Sequence, residues 1–247
     1  MALNAYISAV RILLHDTLGQ FYSDATLTGF INEARQQVAL EGECITGIGT
    51  LNTVPAQQLY QNLLVAVPSV PAGISQLITP RSISFPLGSN PNGGLLTLEN
   101  RNWDWFNFYW LGFAAPPPGP PATWAPRVIG QGGSFYIGPA PDLTIYTLQI
   151  DGVWSPVSLT SDSTPEAIVY PWIDAVQFYA AFKAFMDSQR KSDAADVFTV
   201  YENTMQRARA IVTPLREEKT FPGGLAARTP PGMAPPTLPS GRRGPQQ

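Results

Sequence analysis

The chain has 247 residues and a net charge of −3; only 13% of its residues are charged, and 25 are proline. Soluble domains ordinarily carry about 25% charged residues and about 5% proline, so the composition predicts surface covered by neighbours, against the plainer reading of a loop-heavy β-rich monomer. The charge gives no whole-chain case for nucleic-acid binding, a single cysteine excludes a disulfide framework, and no run approaches the roughly 18 apolar residues of a membrane span.

The N-terminal Met1-Ala2-Leu3-Asn4 has no basic n-region and no continuous apolar stretch, so no signal peptide is expected. Two amphipathic helices are predicted first. In one, Ile7, Val10 and Leu14 share a face that Leu3, Tyr6 and Leu13 widen. In the other, Leu27, Phe30, Ile31, Ala34 and Val38 recur at helical spacing. The turn Gly19–Asp24 divides them, with Ser23 or Asp24 placed to cap the second. Both helices keep an apolar face to bury, and helical partners appear only after residue 165.

The helical pattern breaks at Gly42, Gly47 and Gly49. From about Thr50 to Leu159 short strands are predicted at 58–65, 74–77, 83–85, 95–98, 127–129, 134–137 and 144–150. Asn90–Gly94 and Gln131–Gly133 are turn signals between them. The helical reading resumes at Thr164-Pro165-Glu166, with Thr164 as cap and Pro165 in the first turn, and a second start at Tyr170-Pro171. Trp172, Ala175, Val176, Tyr179, Phe182 and Phe185 build an apolar face, and Ser188–Ser192 is a polar connection. A fourth helix presents Val197, Val200, Tyr201, Met205, Ala208 and Val212, and Pro214 ends it. From Thr220 onward 12 of 28 residues are Pro or Gly, so the tail is expected to be extended and polyproline-like. Residues 1–214 carry a balance of −6 and residues 215–247 one of +3, which favours a tail that seeks a partner surface.

Catalytic patterns are weak throughout. His15, the one histidine, stands beside Asp16 with no nucleophile at a recognisable spacing. Glu41, Glu43, Asp142 and Asp151 could pair as acid and base, as could carboxylates in most proteins. Gly130-Gln131-Gly132-Gly133 lacks the Lys-Ser/Thr of a phosphate loop and reads as a hairpin turn. No catalytic residue, cofactor or metal is therefore expected. The densest feature is Trp103-Asp104-Trp105-Phe106-Asn107-Phe108-Tyr109-Trp110, with six aromatics in eight residues. Such density serves core packing, the anchoring of a protein interface, or sugar stacking. The first two are favoured.

The order of these signals resembles the head–tail adaptor (head-completion) proteins of tailed bacteriophages. The resemblance is carried by Val10-Arg11-x-Leu13-Leu14-x-Asp16 and Tyr22-Ser23-Asp24-x-x-Leu27-x-x-Phe30-Ile31-Asn32-Glu33-Ala34-Arg35. The strand with Tyr60, Ile137-Gly138-Pro139-x-Pro141, and Pro156–Leu159 before Pro171-x-x-Asp174-Ala175 extend it over most of residues 5–212. The aromatic run and the prolines at 116–121 look like additions to the pattern.

The resemblance implies an oligomeric ring, usually a dodecamer, docked under the portal protein and holding a tail or nozzle protein. Double-stranded DNA would pass through its lumen without specific binding, and the protein would reside in the virion at the head–tail junction after synthesis in the bacterial cytoplasm. It also implies a portal-binding arm, for which Phe221, Leu225, Arg228, Met233, Leu238, Arg242 and Arg243 are the candidates. Trp103, Trp105, Phe106, Phe108, Tyr109 and Trp110 are candidates for a subunit or tail interface. The expected fold is α+β: a four-helix-type bundle (1–50 and 163–214) interrupted by an inserted antiparallel β-lobe (51–162), with an extended Pro/Gly-rich C-terminal arm (215–247). A carbohydrate-binding or glycan-cleaving virion protein, and a capsid or tail-tube protein, are the alternatives.

Overall fold

Helix α1 (Leu3–Leu14) and helix α2 (Asp24–Gly42) form where the periodicity places them, and Ser23 is the cap, its Oγ accepting from the Thr26 N–H at 3.1 Å. The computed structural model describes residues 2–68, 72–86, 94–112, 117–127 and 133–212. Of these, residues up to Val212 belong to one compact unit with a single buried apolar cluster.

Strand β1 (Thr46–Asn52) begins earlier than the glycine pattern predicts. Gly47 and Gly49 look like breakers in sequence, yet they make room for a tryptophan. The Trp154 indole donates to the Gly47 carbonyl at 2.9 Å, and a Cβ at Gly49 would stand 2.7 Å from its ring. Next come β2 (Leu59–Gln61), a 3₁₀ turn (Asn62–Leu64), β3 (Ile74–Pro86), β4 (Leu95–Thr97) and β5 (Glu99–Asn100). The strand expected at 58–65 is thus shortened by the turn. The segments expected at 74–77 and 83–85 are one strand, whose register shifts on either side of Thr79–Pro80 absorb the proline.

The aromatic run is helical: α3 (Trp103–Phe106) continues into a π-helical turn (Asn107–Leu111). Strands β6 (Thr123–Arg127), β7 (Ser134–Gly138) and β8 (Thr147–Pro156) complete the sheets. The predicted strand at 127–129 is therefore β6, lying N-terminal to its expected place; residues 128–129 lie outside the described residues. One sheet has the order β1-β8-β3-β4 and the other β2-β7-β6-β5. All pairs are antiparallel except β5 with β6, so the lobe is not purely antiparallel.

No helix starts at Thr164. Helix α4 is Ile173–Asp187 and α5 is Lys191–Val212. Residues 157–168 are held instead against α2 by polar bonds. The Asn32 amide accepts from the Leu159 N–H at 2.7 Å and donates to the Leu159 carbonyl at 3.1 Å. Arg35, wholly buried, donates to both oxygens of Glu166 and to the Val157 carbonyl. Glu166 in turn accepts from the Ile168 N–H at 2.9 Å. With its carboxylate committed there, and with Pro171 disfavouring helix at Tyr170, the chain turns helical only past Trp172.

Helix α4 is the hub of the helical layer. It packs on α1, α2 and α5; α1 and α2 pack on each other, and α2 lies on β8. The α1–α5 seam that would close a four-helix bundle has no comparable packing among the described residues. Helix α5 is tied to the end of α2, where Tyr201 donates to Glu41 at 2.7 Å and Arg209 to the Glu41 carbonyl at 2.8 Å.

Candidate assembly interfaces

The α1–α2 turn is built around a buried acid. Asp16, 3% exposed, accepts from the N–H groups of Gln20 (2.7 Å), Phe21 (3.2 Å) and Tyr22 (3.1 Å). Arg11 donates to the same carboxylate, to the Tyr22 carbonyl and, at 2.7 Å, to Asp24. Gly19 takes a φ of +69°, and a Cβ there would stand 2.7 Å from the Arg11 guanidinium. Arg11 and Asp16 of the sequence pattern are thus the two halves of a clasp. His15 is the left-handed residue closing α1, and the carboxylate that might orient it as a base is already committed elsewhere. The clasp holds Leu18 and Phe21 out in solvent, 81% and 80% exposed. Two apolar residues inside a polar turn were the signal for this surface, and periodicity arguments pass over it.

Burial opposes ionisation of Asp16, but the N–H groups of Gln20, Tyr22 and Phe21, with Arg11, outweigh it and hold its pKa below the ordinary carboxylate value. The resulting stability is therefore complete above about pH 3.9 and is lost as pH falls through the lower folded value. Asp16→Asn is expected to unfold at lower urea concentration than the parent at pH 6, with the gap closing toward pH 2.5. A gap independent of pH would show that the charge of Asp16 contributes nothing.

The second region is the aromatic segment. Asn102 caps it, accepting from the Trp105 N–H at 2.8 Å. Phe106 is buried; Trp103 packs on Tyr136 at 4.8 Å and takes the Arg127 guanidinium over its ring at 3.9 Å. Trp110 donates to the Thr123 hydroxyl at 2.8 Å. These three residues anchor the segment on β6 and β7. Phe108 and Tyr109 face outward, and Trp105 is half-buried, stacked on Tyr109 at 4.9 Å and 11° with Arg101 over its ring. A sugar platform needs open ring faces, and on Trp105 and Trp103 they are engaged by arginine and by other rings. The segment is an anchored ridge with Phe108 and Tyr109 exposed along it.

The third region is a groove of about 390 Å³ between α4 and α5. Tyr170, Pro171 and Phe178 line one wall, Val200, Ala208 and Ile211 the other, with Asp174 and Arg207 as its charges. The sequence reading did not find it, because it is made by the crossing of two helices whose apolar stripes each look fully used in isolation.

The four candidate carboxylates have different neighbours. Glu41 takes the Tyr201 hydroxyl, Glu43 pairs with Arg81, and Asp151 stands in β8 opposite Ile48 of β1. Asp142 accepts from the Thr144 N–H, which lowers its pKa, where a general acid needs the opposite shift. Burial pushes the Cys44 thiol up to about 12, away from the thiolate a nucleophile requires. Among the described residues no three His, Cys, Asp or Glu side chains are grouped to hold a metal ion, and no helix is long and apolar enough to cross a membrane. Phe221, Leu225, Arg228, Met233, Leu238, Arg242 and Arg243 lie outside the described residues.

A search of curated proteins finds no match. The profile of the SU10 adaptor proteins, by contrast, matches residues 1–228. That span takes in the clasped hairpin, both sheets, the aromatic segment and the α4–α5 pair, and the chain belongs to the SU10 adaptor protein family.

Proposed function

We propose that the chain is a head–tail adaptor of a tailed phage, a dodecameric ring in the virion that joins the portal to the tail or nozzle protein and lines the DNA channel. The observation that carries this reading is the family match across residues 1–228, which gives the chain a structural adaptor role in a bacteriophage. The charge distribution supports the finer statement. A body of balance −6 up to residue 214 repels phosphates, so DNA passing the lumen would not be held by counterion release.

In this reading the work is divided along the chain. The helical layer centred on α4 forms the frame, the β-lobe carries the aromatic ridge to a subunit or tail surface, and the arm at 215–247 reaches the portal. The role is mechanical and needs no catalytic residue. Electron microscopy of the purified full chain mixed with portal is the test. The expected image is one ring of twelve copies beneath each portal. Copies in the hundreds per particle would indicate a capsid or tube protein, and retention on a glycan column through Trp105 or Tyr109 would favour the carbohydrate reading.

A further inference from the structure

We infer that neighbouring copies of this chain associate by seating the Leu18/Phe21 turn of one copy in the α4–α5 groove of the next. The inference rests on the ring reading and names a contact within it.

The turn and the groove lie at opposite ends of the same helix. The Tyr22 hydroxyl donates to the Ala184 carbonyl at 2.7 Å, which sets the turn beside the C-terminal end of α4. The groove opens at the other end, around Tyr170, Asp174 and Phe178. From Asp174 to Ala184 the helix rises about 15 Å, and the clasp fixes the turn where it is. One subunit therefore cannot seat its own turn in its own groove, but it can seat a neighbour's.

Rigidity supports the same conclusion. A loose loop would fold Leu18 and Phe21 against the body; here Asp16 and Arg11 hold the backbone so that both side chains remain in solvent. Such preorganisation lowers the entropic cost of docking. The charges also match. In the groove Asp174 and Arg207 have no ion pair among the described residues. Asp24 at the edge of the turn, its side chain 74% exposed, is of the sign to meet Arg207.

Two unlike patches make the contact heterologous, and heterologous contacts propagate in one direction until a ring closes. Two inserted side chains bury far less than the roughly 1,200 Å² of a stable pair. A single contact is therefore weak, and closure sums many of them.

The test uses the full chain and two exposed positions, Phe21→Asp and Val200→Asp, with mass measured by light scattering and native mass spectrometry. Each variant alone is expected to remain monomeric to at least about tenfold higher concentration than the parent, since a tenfold shift needs only 1.4 kcal/mol. Mixed in equal amounts, they should form heterodimers and nothing larger, and only at concentrations well above those at which the parent closes rings, because each pair keeps one weak contact. The Phe21→Asp chain keeps a sound groove and the Val200→Asp chain a sound turn, leaving one good contact per pair. A second measurement does not depend on disruption: a chain carrying both Phe21→Cys and Val200→Cys should give a ladder of covalent multimers on oxidation. Rings unchanged in both Asp variants, or parental rings without a ladder in the cysteine chain, would overturn this contact and leave the ring reading standing. A parent chain that forms no ring, alone or with portal, would remove both.

Discussion

Arg35→Met is expected to lower the unfolding free energy by about 3–5 kcal/mol, because it leaves the buried Glu166 carboxylate with no counter-charge. The pair is almost wholly out of water, with side-chain exposures of 1% and 6% and a closest approach of 2.8 Å. It is also the point at which α2 holds the segment that leads into α4, through the Val157 and Leu159 main chain. Losing it would leave the Asn32–Leu159 bonds to hold residues 157–168 to α2. The expected remedy is instructive: Arg35→Met combined with Glu166→Met should recover most of the loss, since an apolar pair of similar volume carries no desolvated charge. Urea unfolding followed by circular dichroism measures both. A loss below about 1 kcal/mol for the single variant, the value of an exposed pair, would mean that the two charges are solvated. The Tyr6 hydroxyl is buried against the same cluster; burial, then the charge of Glu166, raises its pKa, so it stays neutral beside the carboxylate.

The second large effect is expected from the arm. Deleting residues 220–247 should leave a folded subunit that binds portal roughly 10²–10⁴-fold more weakly, the range multivalent attachment supplies. The basis is compositional: with 12 of its 28 residues Pro or Gly, the segment has too little apolar surface for a core of its own, and it is basic where the body is acidic. Phe221, Leu225 and Leu238 would supply affinity, while Arg228, Arg242 and Arg243 would orient the arm on acidic portal surface. Co-sedimentation of truncated and full-length chain with portal particles is the measurement. Equal binding would transfer docking to the helices or the aromatic ridge.

Helices α1 and α2 and the apolar faces of α4 and α5 were legible in the sequence, because a 3.6-residue period and a Ser23 cap are local facts. Asn32 and Arg35 were visible only as members of a family-like pattern. Their function requires Leu159 and Glu166, more than 120 residues away, and nothing local announces such a bond. The helix predicted at Thr164-Pro165 failed for the same reason: correct capping chemistry lost to a buried ion pair. At Gly47 and Gly49 the local rule again gave way, here to the indole of a distant tryptophan. The aromatic run illustrates the intermediate case. Its density marked it as packing or interface, but which rings anchor and which face outward depended on β6 and β7 lying beneath it.

What the sequence by itself determined is the content of the chain: two helical ends around a β-rich middle, a basic Pro/Gly tail on an acidic body, and too few histidines and cysteines for the common catalytic and metal sites. Tertiary structure alone decided the surfaces. The exposed Leu18/Phe21 turn exists because Asp16 turns its carboxylate inward to three main-chain N–H groups. The groove exists because α4 and α5 pack side by side with Tyr170 and Pro171 at its edge. Periodicity reports which residues a segment must bury; it does not report which partner buries them, and an interface is made from what is left over.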